Sequence, residues 1–408
     1  MLQAPEPHDY LAAMKISTAA PLVFLAILSS GGAAPPPAIK PSAKQVSAPV
    51  AKAAPVKVAV PASKPAPAKQ TPSRTVQAAP KPAPAPIETD ALKTYPLQSI
   101  SFPGGVVMTE MVYSNLPGFR PLTLDLYLPP GKGFPRPGLV FVHGGGWNSG
   151  DSRHAGTFGD FPGQLAGIAA RGLVVASVNY RLSGEAVFPA ALQDVKTAIS
   201  WLRGHAKDYN LDETRIAVWG DSEGGHLAAL AGVSCGVASL DPPADPKSKP
   251  PSDCVQAVID WYGITDLETL FSDFGEPPPD KSDGGAFLGC EPALCPIGAA
   301  RNASPLAYIE TMSPPFLIVH GAGDTIVSPD QSQRLYNALH AKNVPAELVI
   351  YPGVGHDFAP IANSSPSAAD PATNRQAIEK LEGFLDATFP KKPMTAPFKP
   401  AKPQGLPY

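Results

Sequence analysis

A serine with glycine two positions away on each side stands at Gly220-Asp221-Ser222-Glu223-Gly224. It directly follows the apolar run Ile216–Trp219 and precedes a run that reads as a helix, Leu227 to Val233. A serine hydroxyl is a weak nucleophile until a turn exposes it and a base takes its proton. A sharp strand-to-helix turn does the first, and small residues at 220 and 224 let the chain turn that tightly. The turn also sets the oxygen near a helix N-terminus, where developing negative charge is favoured. The pentapeptide alone is a weak signal, because Gly232-Val233-Ser234-Cys235-Gly236 has the same spacing. That second match closes a helical run and follows no strand, so Ser234 reads as a helix-terminus residue and Ser222 as the nucleophile.

Acyl transfer also needs donors for an oxyanion, a base and an acid. Val142-His143-Gly144-Gly145-Gly146-Trp147 again follows a strand-like run. Consecutive glycines let backbone N–H groups face a bound oxygen unobstructed. Gly145 and Gly146 are the expected donors, with the N–H of Glu223 as the third. Trp147 is a substrate-pocket candidate, and His143 a brace for the loop. The base and acid follow the serine in the order Ser, Asp, His. His356, in Gly353-Val354-Gly355-His356-Asp357, lies just after the last strand-like run, and Asp324 lies on the loop after the preceding one. His226 is too close in sequence to fold back onto Ser222. His320 ends a strand and is a rival, while His340 falls in a helical run. Asp330 is the alternative acid, and Asp357 is too near His356. The histidines show no HxH or HExxH spacing and the cysteines no zinc-ligand spacing, so neither a metal nor a cofactor is expected.

The elements that must position these residues alternate. Thr109–Tyr113, Leu122–Leu128, Leu139–Val142, Leu173–Val178, Ile216–Trp219, Val255–Asp260, Phe316–Val319 and Leu348–Tyr351 are short apolar runs bounded by Gly, Pro or Asp. Buried strands look like this. Helical runs, including Pro189 to His205 and about Asn374 to Phe389, separate most of them. The fold class is therefore α/β, a mostly parallel eight-stranded sheet covered by helices over residues 91–389.

Proline sets the outer boundaries. The chain carries 52 prolines in 408 residues, too many for one packed core, and they are segregated. Residues 35–90 alternate Pro, Ala and Lys, with eight basic and no acidic residues from Pro35 to Ile87. Such a segment buries too little apolar surface to fold and acts as a semi-rigid spacer. A sharper reading makes it a cationic arm in weak contact with anionic envelope polymers. Residues 390–408 repeat the composition. Residues 1–34 read as a leader: Met14-Lys15, the apolar run Ala19 to Leu28, then small residues. An uncleaved anchor is the competing reading, and residues 1–13 are superfluous if translation starts at Met14. Export to a periplasmic, secreted or envelope-tethered location follows. Cys290 and Cys295 are spaced for a short disulfide loop, and Cys235 and Cys254 flank a polar loop that a second bridge would close. Four free buried thiols are the alternative. A net charge of −3 argues against a nucleic-acid partner.

His143-Gly144-Gly145-Gly146-Trp147, Asn179-Tyr180-Arg181-Leu182, Phe188-Pro189-Ala190-Ala191-Leu192-Gln193-Asp194 and Gly220-Asp221-Ser222-Glu223-Gly224-Gly225-His226 together resemble the hormone-sensitive-lipase-like esterases. The branch typified by bifunctional acetylxylan/feruloyl esterases is the most similar. The resemblance covers roughly residues 105–388. It implies a lid-bearing α/β-hydrolase fold, carboxylic ester substrates and a triad of Ser222, Asp324 and His356. Glu223 departs from the pattern, standing where alanine is common; its N–H can still donate, while its side chain would either alter the pocket or add a negative charge nearby. Acetyl or feruloyl groups on polysaccharide are the leading expectation for the substrate. Small-molecule short-chain esters, polyesters and arylformamide-like amides are alternatives, as is a non-catalytic envelope-binding protein.

Overall fold

Three of the apolar runs, β5 (Val174–Val178), β7 (Ala257–Trp261) and β8 (Phe316–Gly321), are buried at every residue. Only a sheet covered on both faces needs strands without a polar side. The computed structural model describes residues 99–390, except 132, 244–248, 276–280, 292–293 and 362–370. The expected leader, the segment 35–90 and the tail beyond Pro390 lie outside the described residues.

The remaining strands are β1 (Ser99–Phe102), β2 (Gly105–Ser114), β3 (Leu122–Leu128), β4 (Arg136–Val142), β6 (Leu211–Asp221) and β9 (Ala346–Tyr351). They form a sheet of order β1-β2-β3-β5-β4-β6-β7-β8-β9. The pairs β1–β2, β2–β3 and β3–β5 are antiparallel, and every pair from β5 onward is parallel. This is the α/β-hydrolase arrangement that the resemblance implied. Among the described residues the sheet has nine strands, not the expected eight. The extra one, β1, is a four-residue edge strand, Ser-Ile-Ser-Phe, that pairs with β2 through the turn at Pro103-Gly104. So short an alternation carries no readable period, and its place is set by pairing rather than by its own sequence.

Side chains alternate across the sheet. Val140 and Val142 of β4 and Val218 of β6 join one core, with α2 (Ala190–Gly204), α3 (Glu223–Val233) and α6 (Pro329–Ala341). Leu139, Phe141, Ala217 and Trp219 join the other, beneath α1 (Phe161–Ala170) and α7 (Pro371–Thr388). Two short helices, α4 (Asp283–Leu288) and α5 (Ala299–Asn302), lie in the long segment between β7 and β8. Because β4, β6, β8 and β9 are parallel, their C-terminal ends share one edge. Crevices for chemistry form at that edge in open α/β sheets. The loops carrying Gly145, Ser222, Asp324 and His356 all leave from it.

Candidate active site

Ser222 sits between β6 and α3 with φ 52° and ψ −119°. A non-glycine residue in that region stores roughly 1–3 kcal/mol of strain, so its surroundings must hold it there. The Ser222 N–H donates to the Trp261 carbonyl at 2.9 Å. The flanking glycines make the turn possible. A Cβ at Gly220 would lie 2.1 Å from the Gly224 carbonyl oxygen, and one at Gly224 would lie 2.0 Å from that of Val142. No real side chain tolerates either distance, which is the physical content of the spacing.

The structure brings the three expected residues together. Ser222 Oγ lies 2.9 Å from His356 Nε2, and His356 Nδ1 lies 2.7 Å from Asp324 Oδ2. This chain of contacts fits an Nδ1–H tautomer whose free Nε2 accepts from the serine hydroxyl. The other Asp324 oxygen, Oδ1, accepts the N–H groups of Ile326 and Val327 at 2.8 and 2.9 Å. Burial alone would raise the Asp324 carboxyl. Hydrogen bonds from His320 and His356 outweigh it and hold the group well below the usual carboxylate range. Burial works against a charged His356 ring, but the Asp324 carboxylate prevails and raises its pKa above the ordinary imidazole value.

Two residues here escaped the sequence reading. His320, weighed only as a rival base, lies on the other side of Asp324, its Nε2 3.1 Å from Oδ2 and 2.9 Å from the Val327 carbonyl. Its Nδ1 pairs with Ser332 Oγ at 2.7 Å. The signal was its place at the end of β8, four residues before Asp324. Tyr262, buried, sets its ring edge-on to His356 at 4.9 Å and limits how that ring can turn. Only its position after β7 hinted at this.

The other candidates fall elsewhere. His226 is buried; it accepts the Trp147 indole N–H at 3.2 Å and donates to the Ala303 carbonyl at 2.7 Å. Burial lowers its pKa to about 4, as it does for His143. His143 donates to the Gly144 carbonyl at 2.8 Å and stacks on Tyr180 at 4.4 Å, bracing the glycine loop. His340 and Asp330 are exposed on α6. Asp357 Oδ1 is 3.8 Å from His356 Nε2, beyond hydrogen-bond reach. Ser234 caps the far end of α3, where its carbonyl accepts from the buried Lys196 ammonium at 2.8 Å.

The glycine loop differs from expectation in two respects. Trp147 is not an open pocket wall: its ring is 1% exposed and stacks on Phe287 of α4 at 4.5 Å. Large and apolar apart from one N–H, it is fully used in packing the loop against the segment between β7 and β8. Gly145 and Gly146, at φ +106° and +67°, do turn their N–H groups toward the elbow. The acceptor they meet is the Glu223 side chain, whose Oε2 lies 3.1 Å from the Gly145 nitrogen and 2.7 Å from that of Gly146. Beneath them Asp221 accepts the N–H groups of Gly144 and Gly156 at 2.9 and 3.2 Å. Burial first, and then the Asp357 charge, push the Asp221 carboxyl up to about 8.

Both disulfides form, Cys235–Cys254 and Cys290–Cys295. Among the described residues no cluster of three or more His, Cys, Asp or Glu could hold a metal ion. Nor, among them, is any helix long and apolar enough to cross a membrane.

Comparison with known proteins adds a second line of observation. A family model described as BD-FAE matches residues 124–339, and one described as the prolyl oligopeptidase family matches residues 297–392. The chain is similar to Esterase LipC of Mycobacterium tuberculosis, with 34% identity over 232 residues, covering 55% of this chain and 53% of that one. It spans about half the length of such curated relatives. Among solved structures it is similar to a truncated carbohydrate esterase from gut microbiota, at 28% identity and TM-score 0.56, covering 69% of this chain and 95% of that one. A butyrate-bound thermophilic esterase, Est2 of Thermogutta terrifontis, matches at 26% identity and TM-score 0.56, covering 71% and 97%.

Proposed function

The chain belongs to the BD-FAE family, and from that premise we propose that it is a serine carboxylic ester hydrolase with Ser222, His356 and Asp324 as its triad. The observation that carries this reading is the unbroken run of contacts from Ser222 Oγ through His356 to Asp324, 2.9 and then 2.7 Å long.

The mechanism follows from those contacts. His356 Nε2 takes the Ser222 proton as Oγ attacks the ester carbonyl carbon. Asp324 fixes the imidazole tautomer and stabilises the imidazolium that forms. The carbonyl oxygen, now an oxyanion, is held by the N–H groups of Gly145, Gly146 and Glu223. His356 returns the proton to the departing alcohol, leaving an acyl group on Ser222. Water, deprotonated by the same ring, then releases the acid and restores the serine.

The proposed substrates are short acyl or aryl esters, with acetyl or feruloyl groups on polysaccharide leading. The similarity to a carbohydrate esterase and to a butyrate-bound esterase supports this. Two disulfides support an exported protein, because such bridges persist in oxidising compartments. Weak contact between the basic segment 35–90 and anionic envelope polymers would then keep the domain near its substrate.

Turnover of p-nitrophenyl acetate by Ser222→Ala tests the reading. A loss of several orders of magnitude in kcat is expected, with ~10⁶ the subtilisin precedent. Undiminished turnover would reject it. Acetylated xylan and methyl ferulate, assayed beside aryl esters of increasing chain length, test the substrate class.

A further inference from the structure

The geometry points to Glu223 as a resident occupant of the oxyanion site, whose carboxylate an incoming ester must displace, and so as a residue that determines how readily small esters are turned over. This rests on the ester-hydrolase reading above. Glu223 Oε2 accepts from Gly146 at 2.7 Å and from Gly145 at 3.1 Å, the range that donors hold around a tetrahedral oxyanion. The loop does not owe that shape to Glu223. Both glycines have positive φ, and the Gly145 and Gly144 positions are pinned by Ser149 and Asp221. Glu223 is the first residue of α3, next to the strained Ser222, so its backbone is fixed and only its side-chain torsions are free. That side chain is half-buried, with solvent on one side to swing into.

An ionised carboxylate is a stronger acceptor than a neutral ester carbonyl. It satisfies at rest the donors meant for charge that develops only in the transition state, so it opposes ground-state binding. Two backbone N–H groups hold it there against its neighbours: Asp283, which accepts from Asn148 at 2.6 Å, lies beside Gly146, and the Glu223 charge acts on the acids Asp357 and Asp221, so like charges weaken its hold and leave it displaceable. Displacement therefore falls mainly on KM.

The test compares Glu223→Ala, Glu223→Gln and Glu223→Asp in the full chain by two readouts. One is the kinetics of p-nitrophenyl acetate hydrolysis. The other is the rate at which a fluorophosphonate labels Ser222, a step in which Oγ–P forms, P–F breaks, fluoride leaves and His356 takes the proton. Glu223→Ala is expected to raise kcat/KM and the labelling rate about tenfold or more, chiefly through a lower KM, as two charge-assisted hydrogen bonds no longer compete. Aspartate keeps the charge but is one methylene shorter and cannot reach both N–H groups, so it gains as well. Glutamine, with a weaker acceptor of the same shape, falls between wild type and alanine. Unchanged or lower kcat/KM in all three, with wild-type Ser222 still labelled, overturns the proposal and leaves the hydrolase reading standing. A gain in alanine and glutamine but not aspartate also overturns it, because charge rather than occupancy would then be responsible. Failure of Ser222 to label in wild type and in every variant overturns the hydrolase reading and this proposal with it.

Discussion

His320 Nε2 lies 3.1 Å from Asp324 Oδ2, the same oxygen that His356 Nδ1 approaches at 2.7 Å. One carboxylate oxygen thus faces two imidazoles, while its partner oxygen is tied to two backbone N–H groups. Asp324 is fully committed and has one orientation open to it. That rigidity aims the His356 ring at Ser222. Removing the His320 ring takes away one of the four contacts that set the Asp324 carboxylate, without touching the serine or His356. His320→Ala should lower kcat for p-nitrophenyl acetate by about 10- to 100-fold, since a hydrogen bond to a charged group contributes about 1.5–3 kcal/mol. KM should change little. Steady-state kinetics measure the split, and a pure KM effect would argue against a positioning role.

With His356 as the proposed base, its raised pKa would set the acid limb of the rate profile. The base works only when neutral, so kcat/KM should rise with pH through a midpoint above the ordinary imidazole value of about 6.5. Asp324→Asn removes the group that raises it. The midpoint should move down, and kcat should fall by about 10⁴-fold as the tautomer is lost. A rate profile with the same midpoint in both proteins would contradict the account.

Stability should follow the same pair with the opposite sign for its acid. The folded Asp324 carboxyl is held below its unfolded value of about 3.9. Its contribution is therefore fully present above that value and is lost as pH falls toward the folded pKa. Melting temperatures of wild type and Asp324→Asn, compared between pH 6 and pH 3 (about the range that spans the unfolded value), should converge toward the acid end. A constant gap would count against it.

Most of this site was readable because its residues are constrained by backbone geometry. Gly220 and Gly224 have no substitute where a Cβ would meet a carbonyl at 2.1 or 2.0 Å, so the spacing around Ser222 exposes the turn. Asp324 and His356 sit on loops after successive parallel strands, and parallel topology alone sends both to one edge. What stayed hidden depends on side-chain direction. Nothing in the order of residues shows that Glu223 turns back onto the glycine loop, that Trp147 packs inward on Phe287, or that His320 shares Asp324 with His356. The edge strand Ser99–Phe102 is a different failure, since its short run is specified by its partner and not by itself.

Gly220→Ala should be among the most damaging single changes. The added methyl meets the Gly224 backbone oxygen, which cannot move without unseating Ser222. Overpacking of this kind costs about 1–3 kcal/mol where neighbours can yield, and the upper end or beyond is expected against backbone. Urea denaturation should show that loss, with ester hydrolysis abolished in whatever fraction still folds. A stable, active Gly220→Ala protein would contradict the assigned cause of the motif.

The two disulfides should contribute unequally. Cys235–Cys254 closes a span of 19 residues and Cys290–Cys295 a span of 5. On chain-entropy grounds alone they stabilise by about 3 and about 2 kcal/mol. Paired Cys→Ala variants, unfolded in urea, should rank in that order. The reverse ranking would place the stabilisation in native packing instead.

Trapping the acyl-enzyme would identify the nucleophile itself. The protein is mixed with p-nitrophenyl acetate, quenched in acid within the first turnovers, digested, and the acetylated peptide sequenced by mass spectrometry. Acetyl is expected on Ser222, absent from Ser222→Ala and not found on Ser234. Turnover with acetyl on another residue, or persisting in Ser222→Ala, would contradict that expectation.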